Sequence, residues 1–120
     1  MDKKILLVDD ASFMRMLIKN TLTQNGYTNI LEAADGEQAC QTYEAEKPDL
    51  VIMDITMPVK TGIEALGEIK GKHPEAKIVM CSAMGQEAMV VEAIKLGALD
   101  FIVKPFKPDR ILQTVKKILD

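Results

Sequence analysis

Five polar side chains in this sequence stand where strand-like apolar runs end. Asp9 and Asp10 follow Ile5-Leu6-Leu7-Val8, Asp54 follows Leu50-Val51-Ile52-Met53, Ser82 follows Ile78-Val79-Met80-Cys81, and Lys104 follows Phe101-Ile102-Val103. A charge taken out of water is costly unless something pairs with it, so each acid belongs at a rim and needs a partner. Three carboxylates within a few ångströms also repel. At about 4 Å and an effective dielectric near 20, each pair costs on the order of 4 kcal/mol. A hard divalent cation relieves this, and Mg²⁺ commonly takes one or two carboxylates together with phosphate oxygens and water. An Asp carboxylate is also a nucleophile in aspartyl-phosphate chemistry. Phosphoryl transfer asks the protein mainly for positioning and for cations around the transferring oxygens. Lys104 offers a point charge for such an oxygen, and Ser82 a hydroxyl hydrogen bond. The bland alternative makes Asp9-Asp10 an acidic first helical turn, Ser82 a helix cap and Lys104 a surface lysine. Taken with Asp54, the set favours one acceptor Asp, a metal, a lysine and a hydroxyl.

That chemistry needs the five residues to meet, and the elements around them decide whether they do. Leu50 to Met53 leave no solvent face, and so short a run with β-branched members and Pro58 beyond reads as a strand buried on both sides. Lys4 to Val8 repeats the pattern, Asn29 to Ala33 is weaker, and Lys77 to Cys81 and Leu99 to Val103 complete five strands. Helical spacing fills the gaps. Ser12 serves as an N-cap before Met14, Leu17, Ile18 and Leu22, with Gly26 closing that helix. Asp35-Gly36 leads into Ala39, Cys40 and Tyr43, stopped by Pro48. Thr61 and Glu64 form a capping box before Leu66 and Ile69, although Gly67 costs about 1 kcal/mol relative to Ala. Gln86 to Leu96 turns Val90, Ala93 and Ile94 inward, and Gly97 closes it. Pro108 opens a last helix with Ile111, Leu112, Val115, Ile118 and Leu119 on its apolar face.

Five strand–helix units with no linker or repeat make residues 1–120 a single α/β domain. Its parallel sheet is doubly wound, with helices on both faces and right-handed crossovers. In such sheets the ligand site lies outside the carboxyl ends of the strands. Asp9, Asp10, Asp54, Ser82 and Lys104 therefore converge on one edge.

Composition narrows the class. Of the 120 residues, 48% are hydrophobic and 28% charged, which is ordinary for a globular domain. A net charge of -3 argues against nucleic-acid binding, which wants a basic stripe. No apolar run reaches the roughly 18 residues of a membrane span. Met1-Asp2-Lys3-Lys4 enters the first strand without a signal segment, so a cytoplasmic location is expected. Cys40 and Cys81 lack metal-ligand spacing and read as reduced core residues; His73, in a polar turn, reads as an idle surface residue. Met84 and Met89 are candidates for exposed contacts with a partner.

The chain resembles the receiver domain of two-component response regulators, closest to its single-domain chemotaxis members. The matching pieces are Val8-Asp9-Asp10, Ala34-Asp35-Gly36-Glu37, Met53-Asp54-Ile55-Thr56-Met57-Pro58, Ser82-Ala83 and Phe101-Ile102-Val103-Lys104-Pro105. Each is weak alone, but five in order at the right spacing are specific, and they cover essentially the whole chain, so a receiver without an output domain is expected. The resemblance implies the flavodoxin-like (βα)5 fold with strand order 2-1-3-4-5. It implies a protein that is not an enzyme beyond its own phosphorylation and dephosphorylation. Asp54 would accept a phosphoryl group from a histidine kinase, and Mg²⁺ would be held by Asp9, Asp10, Asp54 and the backbone carbonyl of Thr56. Lys104 would contact the phosphoryl group, Lys104-Pro105 would be cis, and Ser82 with Phe101 would form a switch pair. Implied partners of this monomer are a kinase of the chemotaxis type, a flagellar motor switch protein, and a phosphatase; a histidine phosphotransfer protein is the alternative to the motor. Two departures stand out. Thr61 replaces the usual Asp or Asn before Gly62, and Phe101 replaces a frequent tyrosine, removing a phenol hydroxyl.

Two rivals share parts of this pattern. A flavodoxin-like electron carrier needs a hydroxyl- and glycine-rich phosphate loop after the first strand, where this chain has Asp9-Asp10-Ala11, and it lacks tryptophan to stack a flavin. A haloacid-dehalogenase-type phosphohydrolase needs a second acid two residues after its nucleophile, where this chain has Thr56.

Overall fold

The alternation of short apolar runs with period-3.6 patterns appears in a computed structural model that describes residues 3–120 as ten elements. They are β1 (Lys4–Val8), α1 (Ser12–Gln24), β2 (Asn29–Ala33), α2 (Gly36–Glu46), β3 (Leu50–Asp54), α3 (Gly62–Lys72), β4 (Ile78–Ser82), α4 (Glu87–Lys95), β5 (Asp100–Val103) and α5 (Pro108–Leu119). The expected entry at Met1-Asp2 lies outside the described residues. All neighbouring strands run parallel, in the order β2-β1-β3-β4-β5, as the resemblance implied.

Successive side chains of a strand point to opposite faces, so each apolar run feeds two cores. Leu6 and Val8 of β1, Val51 and Met53 of β3, and Ile78 and Met80 of β4 pack with Ala39, Tyr43, Leu66, Ile69 and Ala93 of α2, α3 and α4. Ile5, Leu7, Ile52, Val79, Cys81 and Ile102 pack with Ile18, Leu22, Ile111 and Val115 of α1 and α5. Because β1, β3 and β4 are clamped on both faces, their carboxyl ends are held in register. Asp54 pairs with Cys81, and Val8 with Met53. The edge strand β5 is anchored by Ile102 alone; Phe101 and Val103 face outward.

Four expectations need correction. Ala11, not Ser12, is the N-cap of α1, and no side chain caps it there. The helix starts one residue early because Asp9 reaches forward and accepts from the Ala11 N–H at 2.9 Å. Leu17 is exposed, because α1 meets the sheet along the narrower Met14–Ile18–Leu22 stripe. Ile94 is also exposed, since the nine-residue α4 buries only Ala93 and leans on Val90. His73 is not idle: it C-caps α3, its Nε2 lies 2.8 Å from Glu44 Oε2, and its ring sits 5.2 Å from that of Tyr43. The capping box at Thr61 and Glu64 forms as expected, so the departure at Thr61 leaves the helix start intact. Both cysteines are free and buried, and burial pushes each thiol up to about 12. At ordinary pH neither is a nucleophile.

Candidate metal and phosphoryl site

Each acid is presented by the end of a strand that the cores hold rigid. Asp9 follows β1 and is buried, Asp10 beside it is exposed, and Asp54 ends β3 half-buried. Carboxylate oxygens of the three lie within 4.8 Å of one another. Lys104, arriving from β5, bridges two of them, with its Nζ 3.0 Å from Asp9 Oδ2 and 3.3 Å from Asp54 Oδ2. The Lys104–Pro105 peptide is cis, and the Lys104 N–H donates to the Ser82 carbonyl at 2.7 Å, tying the loop after β5 to β4.

Burial, more than any other influence, pushes the Asp54 carboxyl above its ordinary range; Lys104 pulls it down and Asp9 pushes it up. Burial alone would lower the Lys104 ammonium, but the carboxylates of Asp9 and Asp54 outweigh it and raise the group. One ammonium thus pairs with two of three clustered carboxylates, leaving an all-oxygen cluster with an excess of negative charge. That donor set fits a hard divalent cation and suits no soft one.

The loop from β3 to α3 completes the rim. Ile55 and Met57 are buried while Thr56 between them is exposed, so alternate residues anchor the loop and lift Thr56 beside the acids. The Ile55 N–H donates to Cys81 at 3.1 Å, and the Gly62 N–H donates to Ile55 at 2.7 Å. Gly62 has to be glycine: a Cβ there would run into the Asp54 carbonyl. Farther out, the Lys60 N–H donates to the Pro58 carbonyl at 2.7 Å around Val59, whose φ of 68° makes this a strained three-residue turn.

Ser82, the last residue of β4, is fully buried. Beside it an apolar groove of about 760 Å³ opens between α4 and β5, lined by Ser82, Val90, Val91, Ile94, Phe101 and Val103. Met84 and Met89 are exposed nearby, as expected. From α5, Arg110 Nη2 donates to the Phe101 carbonyl at 2.9 Å, so the Phe101 backbone is pinned while its ring is on the surface.

The structure thus brings Asp9, Asp10, Asp54 and Lys104 together, with Thr56 and Ser82 at adjoining strand ends and Phe101 across the groove. Sequence reasoning missed two participants. Arg15 donates from Nη1 to the Asp9 carbonyl at 2.5 Å and from Nε to Glu32 at 2.9 Å, a long reach that no local pattern announces. Gln86 was read only as a helix start, yet its side chain reaches Thr56.

A doubly wound parallel sheet with an acidic triad and a lysine at its carboxyl edge defines a class of phosphoryl-accepting switch domains. Residues 5–116 match the response regulator receiver domain, and the chain belongs to that family, the phosphoacceptor response regulators of two-component signalling. It is 55% identical over 120 residues to the chemotaxis protein CheY of Bacillus subtilis, covering 100% of both chains. It is 54% identical over 118 residues to the chemotaxis protein CheY of Thermotoga maritima, covering 98% of each. The receiver domain of NtrX from Brucella abortus superposes with a TM-score of 0.91 at 37% identity, covering 97% of this chain and 98% of that one.

Proposed function

We propose that residues 1–120 act as a single receiver domain that takes a phosphoryl group from a histidine kinase onto Asp54 and passes the signal on as a change of surface. The observation that carries this reading is the Asp54 carboxylate, held 3.3 Å from the Lys104 ammonium inside a triad of acids. An Asp54 oxygen attacks the phosphorus of the kinase phosphohistidine; the new O–P bond forms as the N–P bond breaks, and the imidazole nitrogen leaves with the electron pair and takes up a proton. Asp9, Asp10, Asp54 and the Thr56 carbonyl would hold Mg²⁺, which would supply positive charge to the transferring oxygens. Lys104 keeps a second cation on the same group, and hydrolysis of the acyl phosphate, by the domain itself or with a phosphatase, resets it.

The phosphoryl group adds about -1.5 to -2 charges beside Asp54. Ser82 turns its hydroxyl toward one of the new oxygens, and the ring of Phe101 follows into the space vacated, reshaping α4, β5 and α5. Near full-length similarity to two chemotaxis proteins supports a flagellar motor switch protein as the partner in the cytoplasm. The test is phosphotransfer from a chemotaxis-type kinase carrying labelled phosphohistidine. Label should reach this protein with Mg²⁺ and stay on the kinase with EDTA. Transfer that ignores EDTA would reject the metal-dependent reading, and onward passage of label to a histidine phosphotransfer protein would replace the motor with a relay.

A further inference from the structure

The segment Ala83-Met84-Gly85-Gln86 between β4 and α4 is closed on itself by one side chain. Gln86 Oε1 accepts from the Ala83 N–H at 2.6 Å, and its Nε2 donates to Thr56 Oγ1 at 2.8 Å and touches Met89 sulfur at 3.8 Å. The first bond alone would be an ordinary local cap, three residues back along the chain. The second is not local, since it spans thirty positions to the loop after β3. Asp54 pairs with Cys81, so the strands carry Thr56 and Ala83 out side by side, two residues beyond that pair. Gln86 therefore bridges the two strand ends that flank the proposed phosphoryl position, without touching the acids.

We propose that Gln86 is a latch on the phosphoryl-accepting reaction, a positioning residue that holds the β4–α4 segment in its resting arrangement. The inference rests on the reading of Asp54 as acceptor. Any main-chain shift that carries Ser82 closer to Asp54 also moves the peptide that joins it to Ala83. That peptide donates its N–H to Gln86, which is anchored on Thr56. Gly85, at φ 91° with open space around its Cα, is the point where the segment turns, and Met84 beside it has no packing to hold it. When the phosphoryl group arrives, the Ala83 N–H and the Thr56 hydroxyl come free to face it only if Gln86 lets go. Because Gln86 also lines the groove between α4 and β5, its release is felt where the partner would bind.

The experiment is a titration of the Mg²⁺-loaded protein with beryllofluoride, a phosphoryl mimic, for the parent, Gln86→Met and Gln86→Ala, followed by ¹⁵N–¹H spectra. Gln86→Met keeps the length and the contact with Met89 and removes both hydrogen bonds. A net neutral hydrogen bond is worth enough to shift an equilibrium several-fold, so half-saturation should fall about two- to tenfold in both variants. The Ala83 amide should move upfield and exchange faster before any anion is added, while Mg²⁺ affinity stays at the parent value. Unchanged or weaker beryllofluoride binding in Gln86→Met, with the parent titrating normally, overturns the latch and leaves Asp54 as acceptor. A parent that shows no beryllofluoride response overturns both.

Discussion

Replacing Asp54 by Asn should make the resting protein more stable, and the size of the effect follows from the site. Oxygen–oxygen separations up to 4.8 Å give the Asp54–Asp9 repulsion a cost of about 3.5 kcal/mol at an effective dielectric near 20. Exposed Asp10 is screened by water and adds about 1 kcal/mol at the same separation. Attraction to Lys104 at 3.3 Å returns about 5 kcal/mol on the same scale. These pairwise effects nearly cancel, so desolvation of the carboxylate decides the sign. A fully buried ion loses several kcal/mol; for the half-buried Asp54 about 1–2 kcal/mol is expected, and Asn recovers it. For a chain of this length that is a rise in Tm of about 3–8 °C. The pH dependence has a definite direction. Burial raises the Asp54 carboxyl in the folded state, so the parent loses stability as pH rises through that folded value. The advantage of Asp54→Asn should therefore be full at neutral pH and vanish below the ordinary carboxylate range. Thermal melts in EDTA from pH 3 to 8 measure it. An Asn variant no more stable than the parent at pH 7.5, or equally favoured at pH 3, would refute the charge accounting.

Asp10→Asn removes one proposed ligand and one like charge, so Mg²⁺ affinity should drop about tenfold or more while the fold holds; calorimetric titration checks this, and parent-like affinity would remove Asp10 from the metal site. Ser82→Ala should still accept the phosphoryl group but lose about tenfold of the phosphorylation-dependent gain in partner affinity, the worth of one charge-assisted hydrogen bond. Phe101→Ala should lose a comparable share through the groove. Surface plasmon resonance with and without phosphate reads both, and full retention in the two variants would mean that the signal leaves by another route.

Much of this molecule was legible before any coordinates, and the reasons are physical. A short apolar run such as Leu50–Met53, with β-branched members and Pro58 beyond it, reads as a strand buried on both faces, and strand–helix alternation then leaves one edge for ligands. That is why Asp9, Asp54 and Lys104 could be placed together from residues 95 apart in the chain. Helix faces were harder. Spacing marks a stripe but not its width, so Leu17 and Ile94 were assigned to a core that α1 and α4 are too narrowly seated to offer them. Long polar side chains were hardest, because reach carries no periodic signal: neither the bond from Gln86 to Thr56 nor that from Arg15 to the Asp9 carbonyl leaves a mark in the sequence.

The central claim is that Asp54 is the phosphoryl acceptor, and mass spectrometry after incubation with acetyl phosphate and Mg²⁺ tests it most directly. The account predicts one added phosphoryl group on the peptide containing Asp54, stable in acid, released by base, dependent on Mg²⁺ and missing from Asp54→Asn. Undiminished modification of Asp54→Asn, or a phosphoryl group mapped to a different residue of the parent, would contradict it.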